Sequence, residues 1–394
     1  MSILSRSELP RLVTGLRPRI RLQSTSVKES HERLRRESML HGKSVRELEG
    51  ERQRHHHVTQ NQTKPPVKIP GTTEDDLIFL ERGIKKTDEL VSSFTDYTYK
   101  FERLPPNYGS NQLLTVGNEL QAELDSIMNH FKAPIRYAFG YGSGVFEQSG
   151  YSGGEKPQMD LIFGVSHPAH FHSLNMRQNP QHYSTMRYFG SDFAAKFQEI
   201  GAGVFFNPFV DIQGHQVKYG VVSMDNLLKD LATWDTFYLA GRLQKPVKVL
   251  KNDLRVLYWN QLNLKAAASL AKHMTLQKNN GNFDEFQFYK EIAGLSYLGD
   301  IRYQLGGENP NKVSNIVTKN FENFRRYYQP VYKDVVHSNS LYLPRDFKLE
   351  TAPSQLQGRI FKGSTTQMIK GIFTAGVLKS IKYAWAKKLK TLSK

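Results

Sequence analysis

One short stretch limits what this chain can build: Phe139-Gly140-Tyr141-Gly142-Ser143-Gly144-Val145, entered from Ile135-Arg136-Tyr137-Ala138. The run 135–139 reads as a buried strand, and the glycines after it permit a tight turn that opens a helix. A second apolar run, Met159-Asp160-Leu161-Ile162-Phe163, continues to Val165 with Asp160 as its one charged residue. A lone aspartate in a buried strand is costly unless it meets a cation or hydrogen-bond donors. Bare backbone amides and the small hydroxyl of Ser143 suit close approach to phosphates, and a nearby acid suits magnesium.

The chain has 394 residues, enough for two packed domains and tails. No apolar run approaches the length of a membrane-spanning helix. Cysteine is absent, which excludes disulfides, thiolate catalysis and Cys-ligated zinc. The net charge of +17 sits mostly at the two ends. Residues 351–394 hold nine bases and no acid, and residues 1–30 hold six bases against two acids, leaving +4 for the middle. A nucleic-acid binder would carry its basic patch on a folded face, so this distribution favours targeting and membrane attachment, with no nucleic acid as partner.

Arg6, Arg11, Arg17, Arg19 and Arg21 lie among Leu4, Leu9, Leu12, Leu16 and Ile20, so residues 1–30 have the composition of a mitochondrial transit peptide. Residues 31–71 are polar and read as a disordered linker. His55-His56-His57 lies inside it without the setting of a metal site. Order is expected from Thr72-Thr73-Glu74-Asp75, with a helix from about Asn111 to Phe131 that stops before Pro134. Phe205 to Ile212 and Val217 to Val222 read as a hairpin turning at Gly214. Leu250 to His273 and Phe283 to Leu298 then suggest a separate helical module.

A strand, a Gly-Ser turn, an acidic strand and a further acidic strand form the plan of the nucleotidyltransferase superfamily. Gly142, Ser143 and Gly144 take the triphosphate in that plan, and Asp160 takes a metal. The superfamily's second strand acid is missing, since Ile162 stands at the position facing the same side as Asp160. Asp211 either completes the metal site or begins the turn at Gln213-Gly214. Arg242, Lys245 and Lys248 form a compact basic element suited to phosphates. His172, His182 and Tyr183 are candidates for contact with substrate, whereas His167 and His170 also read as ordinary loop residues. Asp300 and Arg302 read as a surface ion pair or a substrate contact. The C-terminal segment spaces Ile369, Ile372, Phe373, Val377, Ile381, Trp385 and Leu389 helically, with Lys387 and Lys388 on the other side. A basic amphipathic helix of that kind lies in the headgroup region of an anionic membrane.

Several of these elements, with Asn175, Asn179, Lys218-Tyr219-Gly220-Val221, Glu291 to Asp300 and Lys370 to Gly376, resemble the mitochondrial translocator assembly and maintenance proteins of fungal type, which are phosphatidate cytidylyltransferases. The resemblance covers roughly residues 72–394. It implies an α/β (α+β) chain: a nucleotidyltransferase domain with a mixed sheet (72–240), a helical winged-helix-like domain (241–350) and a basic amphipathic tail (351–394). It further implies a Mg2+-dependent reaction of CTP with phosphatidate on the matrix side of the inner membrane, leading towards cardiolipin. It implies triphosphate binding at Gly142 and Ser143 and magnesium at Asp160, which makes Asp160 and Ser143 the expected catalytic residues, with His172, His182 and Tyr183 the expected lipid contacts. Two other classes share parts of the pattern: a polynucleotide or tRNA nucleotidyltransferase, and a non-enzymatic assembly factor for protein import.

Overall fold

The structure is a computed structural model that describes residues 104, 107–146, 157–304, 309–338 and 340–375. The expected transit peptide, linker, His55–His57 and helix start at Thr72 lie outside these residues. So do Trp385, Lys387 and Lys388. The described residues belong to one compact unit.

Five strands form a mixed sheet: β1 (Tyr137–Tyr141), β2 (Met159–Val165), β3 (Val204–Ile212), β4 (His215–Ser223) and β5 (Lys248–Lys251). Their order is β3-β4-β2-β1-β5, with β2 and β4 parallel and the other pairs antiparallel. The fifth strand comes from beyond residue 241, where the sequence reads as helical, and it pairs with β1. A helix of 13 residues, α1 (Asn118–His130), follows a short 3-10 turn at Ser110–Gln112, so the expected helix begins later than Asn111. After β1, residues 142–146 make a single turn, in which Val145 and Phe146 N–H both bond the Gly142 carbonyl.

Side chains alternate across a strand, and here each face meets its own core. Leu161, Phe163, Val165, Tyr219 and Val221 join Leu124 and Ile127 of α1 on one face. Tyr137, Phe139, Ile162, Val204 and Val222 join a larger core on the other. That second core contains α4 (Met224–Thr233), α6 (Leu254–Lys278), α7 (Glu285–Leu295) and α9 (Lys312–Val336). α6 is buried nearly all round because α4, α7 and α9 pack on it. The alternation also explains Ile162. Its position faces the helical layer, fully buried, where a carboxylate would be left without water.

The remaining helices are α2 (Pro168–Gln178), α3 (Gly190–Gln198), the short α5 (Ala240–Leu243), α8 (Ile301–Gln304) and α10 (Ala352–Ala375). Among the described residues beyond Lys251 there is no strand, and no helix is long and apolar enough to cross a membrane.

One buried carboxylate organises the segment between α4 and α5. Asp230 Oδ1 accepts from Thr236 N, Thr236 Oγ1 and Phe237 N, and Oδ2 accepts from Leu239 N and Ala240 N, at 2.8–2.9 Å. Trp234 at φ 54° and Phe237 at φ 57° take the left-handed backbone that this wrap requires. Asp230→Ala removes the acceptor for all five donors. Stability is expected to fall by about 3 kcal/mol or more in urea unfolding.

Candidate active site

The sheet end that holds the glycine turn opens into a cleft of about 420 Å³. Gly142, Ser143, Asp160, Lys218, Arg242 and Lys245 line it, drawn from β2, β4, α5 and the turn. Asp160 and Lys218 are register partners on the parallel strands β2 and β4. Their side chains therefore leave the same face of the sheet, and Lys218 Nζ lies 3.4 Å from Asp160 Oδ1. That oxygen is buried and accepts no hydrogen bond, so the contact is an ion pair alone. The carboxylate as a whole is about one-quarter exposed, not fully buried as the strand pattern suggests.

Gly142 sits directly over the same carboxylate. It has φ +79°, and a Cβ there would come to 3.4 Å from Asp160 Oδ2. Gly144 is excluded from substitution by a different contact, since its Cβ would lie 2.4 Å from the Gln158 carbonyl oxygen. These glycines press the turn onto the start of β2 and hold Ser143 at the cleft. Gly144 itself packs beneath the turn.

Cations surround the lone acid. The Arg242 guanidinium stacks 4.3 Å from the Tyr141 ring centre and 5.0 Å from that of Tyr238. Burial works against charge on Arg242, but Tyr141, Tyr238 and Asp160 outweigh it, so its pKa lies above the ordinary value. Lys218 is likewise raised: burial opposes its charge, and Asp160 with Tyr141 and Tyr238 overcomes that. Burial pushes the Tyr141 phenol up to about 12, so it stays neutral beneath the guanidinium. Lys245 goes the other way, lowered by burial and by the nearby Arg242 and Lys312. Its Nζ donates to the Gly241 carbonyl and to Ser296 Oγ, each at 2.6 Å. An anion entering beside these groups relieves their mutual repulsion. Asp300 and Arg302 also line the cleft, as a bidentate pair at 3.0 and 2.5 Å.

Buried polar side chains that no sequence motif singles out hold the Arg242 segment in place. Asn263 of α6 donates to the Ala240 carbonyl and accepts from Trp234 Nε1 and Gln244 Nε2. From α9, the Tyr327 hydroxyl donates to the Leu243 carbonyl and that of Tyr328 to the Gln244 carbonyl. Residues 240–244 are thereby bonded from three sides. Asparagine and tyrosine at core-facing positions of α6 and α9 are the hint the sequence offers, and they name no partner.

Other expected site residues lie elsewhere. Lys248, on β5, donates to the Leu114 carbonyl at 3.0 Å and does not line the cleft. Asp211 takes its turn role: Oδ1 accepts from Gly214 N and Oδ2 from Gln216 Nε2, at the hairpin end of β3 and outside the cleft. His172, His182 and Tyr183 are core residues, not cleft residues. The Tyr183 hydroxyl bonds His172 Nδ1 at 2.9 Å and accepts from Asn175. His172 Nε2 bonds Gln198 Oε1, and Asn175 and His182 both bond the Tyr219 hydroxyl. Tyr219 follows Lys218 on β4, so it points to the opposite face of the sheet, and this network lies there too. Spacing along the chain does not reveal which face a loop reaches. Among the described residues no cluster of three or more His, Asp or Glu is placed to hold a metal alone.

A five-stranded mixed sheet bearing a glycine turn over one strand aspartate, with Lys218, Arg242 and Lys245 around it, defines an α/β protein with a cationic cleft. The profile described as phosphatidate cytidylyltransferase, mitochondrial, matches residues 124–351. Among curated proteins, the mitochondrial phosphatidate cytidylyltransferase of Saccharomyces cerevisiae is 69% identical over 331 residues, covering 84% of this chain and 86% of the relative. That of Schizosaccharomyces pombe is 38% identical over 344 residues, covering 72% and 86%. The Danio rerio protein of the same name is 39% identical over 235 residues, covering 58% and 67%. The chain belongs to the mitochondrial phosphatidate cytidylyltransferase family.

Two measurements check this assignment of positions. Burial lowers His172 from 6.5 to about 4, so it is neutral in the folded chain while the unfolded chain protonates first. The stability linked to it is complete above pH 6.5 and is lost as pH falls towards 4, by about 3 kcal/mol in all. Urea midpoints measured across that window should fall steeply, and less so in His172→Asn. Gly144→Ala should cost at least tenfold in affinity for a nucleoside triphosphate, read by calorimetry, because the turn must lift from Gln158.

Proposed function

We propose that the cleft around Asp160 and Ser143 is where this chain carries out the reaction of its family, joining CTP and phosphatidate into CDP-diacylglycerol with release of pyrophosphate. The observation that carries this reading is the meeting of Gly142, Ser143, Asp160, Lys218 and Arg242 in one cleft. The phosphatidate phosphate is already an anionic nucleophile near neutral pH, so the step needs no strong general base. Its oxygen attacks the α-phosphorus of CTP, and the bond to the β-phosphate breaks. The obstacle is one polyanion approaching another. Lys218, Arg242 and Lys245 offset that repulsion and stabilise the charge that collects on pyrophosphate.

Asp160 fits a magnesium ion, because its Oδ1 accepts no hydrogen bond and glycine at 142 brings no side chain against Oδ2. A single protein carboxylate suits magnesium, which takes its remaining ligands from phosphates and water. Bound there, the ion supplies charge neutralisation on the triphosphate and polarises the phosphoryl oxygens. Asp160 would hold it, with Ser143 turned to the phosphates. Arg242 and Lys245 orient the triphosphate from the opposite wall.

A lipid substrate supports a reaction at a membrane, and the family's name is that of a mitochondrial enzyme. We assign it to the matrix face of the inner membrane, as a peripheral protein on the path to cardiolipin. The exposed Phe373 near the end of the described chain, followed by a lysine-rich segment without acids, supports contact with anionic lipids. Ile372 and Phe373 lie on α10, and Trp385, Lys387 and Lys388 extend the same sequence pattern.

Asp160→Asn keeps the shape of the residue and removes its charge. Conversion of labelled CTP and phosphatidate to lipid should fall by roughly a thousandfold with the melting temperature unchanged. Chelation of divalent cations should abolish turnover in the unsubstituted chain. Label incorporated into tRNA in place of lipid, or full turnover in Asp160→Asn, would refute the assignment.

A further inference from the structure

Helix α3 presents rings to solvent. Phe189, Phe193 and Phe197 recur at every fourth position, with ring centres 5.0 and 6.2 Å apart. Tyr188 is 74% exposed and Phe189 63%, values that leave most of each ring in water. The row continues onto α10, where Phe373 lies 6.5 Å from Phe197 and is 60% exposed. Scattered apolar residues on a surface need no explanation, but rings in succession from two elements do.

The two helices are joined rigidly. Lys370 donates to the Gln198 and Ile200 carbonyls at the end of α3, at 2.9 and 2.7 Å, and Gln367 donates to the Val204 carbonyl. While that face of α10 is docked, its other side exposes Phe361, Met368 and Ile369. The aromatic surface is thus continuous and fixed to the core. Cations accompany it. Arg187 lies 4.8 Å over the Tyr188 ring, and Lys196 and Lys362 are exposed on α3 and α10. Asp192, one turn before Lys196, is exposed as well, and Glu199 is engaged by Asn226.

We propose that the α3 ring row, with the open side of α10, is a second membrane-docking surface, one that seats the folded core itself on a bilayer containing anionic lipid. The proposal rests on the lipid substrate of the reaction above, and it adds an anchor that does not depend on the basic tail. Two features of the chain select a bilayer as the occupant. Residues 376–394, which follow α10 in the sequence, carry six lysines, no acid and Trp385, a composition that matches an anionic bilayer. α10 also lines the cleft with Ile360 and Ser364, roughly 20 and 14 Å along its axis from Phe373. A lipid entering the cleft therefore has only a short way to travel from a bilayer held there.

The test uses the full chain, its F189S/F193S variant, its F189L/F193L variant and a chain ending at Ala375. Each is floated with phosphatidylcholine vesicles with and without phosphatidylglycerol, and assayed with CTP and a short-chain, water-soluble phosphatidate. F189S/F193S should lose roughly ten- to hundredfold in partition to anionic vesicles, F189L/F193L should retain it, and both should turn over the soluble lipid normally. The chain ending at Ala375 should still bind better than F189S/F193S. Unchanged partition in F189S/F193S overturns the proposal. So does stronger binding once residues 376–394 are removed, since the tail would then be the occupant. A concentration-dependent dimer that the serine substitutions dissociate, with partition unaltered, overturns it in favour of a second copy. No turnover of soluble phosphatidate by the unsubstituted chain refutes the reaction assigned to the cleft and leaves the vesicle result to judge the surface.

Discussion

The ion pair between Asp160 and Lys218 exists because two strands run parallel. β2 and β4 are not neighbours in sequence, and their parallel register sets residue 160 beside residue 218 on one face. Two residues further along that face, Ile162 and Gly220 already lie under helices, with Phe206 and Val204 so near Gly220 that a Cβ would meet them at 2.7–2.8 Å. The charged pair sits where this face opens into the cleft. A site with a single carboxylate follows from that geometry. With magnesium held as proposed above, the substrate's own phosphates would supply the ligands that a second carboxylate could otherwise provide.

The opposite wall of the cleft depends on satisfying backbone groups more than on apolar contact. Residues 234–244 run between helices without a regular ladder, so their amides and carbonyls need side-chain partners. Asp230, Asn263, Tyr327 and Tyr328 provide them from three helices. Arg242 is consequently carried on a segment that cannot shift without breaking several buried bonds. Stacked between Tyr141 and Tyr238, it is ready for an anion before one arrives.

Much of this was legible in the sequence where local pattern and fold agree. The acidic strand runs over Met159–Val165 as its apolar residues indicate, and the β3–β4 hairpin turns where Gly214 allows. The glycine turn and Asp160 meet as their order along the chain suggests. β5 was not legible, because Lys248–Lys251 is a four-residue edge strand whose pattern merges into the helix after it. Nor was the position of His172, His182 and Tyr183, since side chains that could contact a substrate are equally able to satisfy one another. Lys218 was visible only as part of a resemblance. Nothing local tells a reader that its neighbour across the sheet is Asp160.

Because α10 both closes the cleft and is bolted to α3, it is a structural wall and not a detachable leash. A chain cut ahead of Ala352 would lose Ile360 and Ser364 from the cleft, and with them the Arg359 bonds to the Thr233 and Trp234 carbonyls. Inactivity in such a truncation would report a damaged chamber, whatever the membrane contributes. Shortening beyond Ala375 leaves that wall whole.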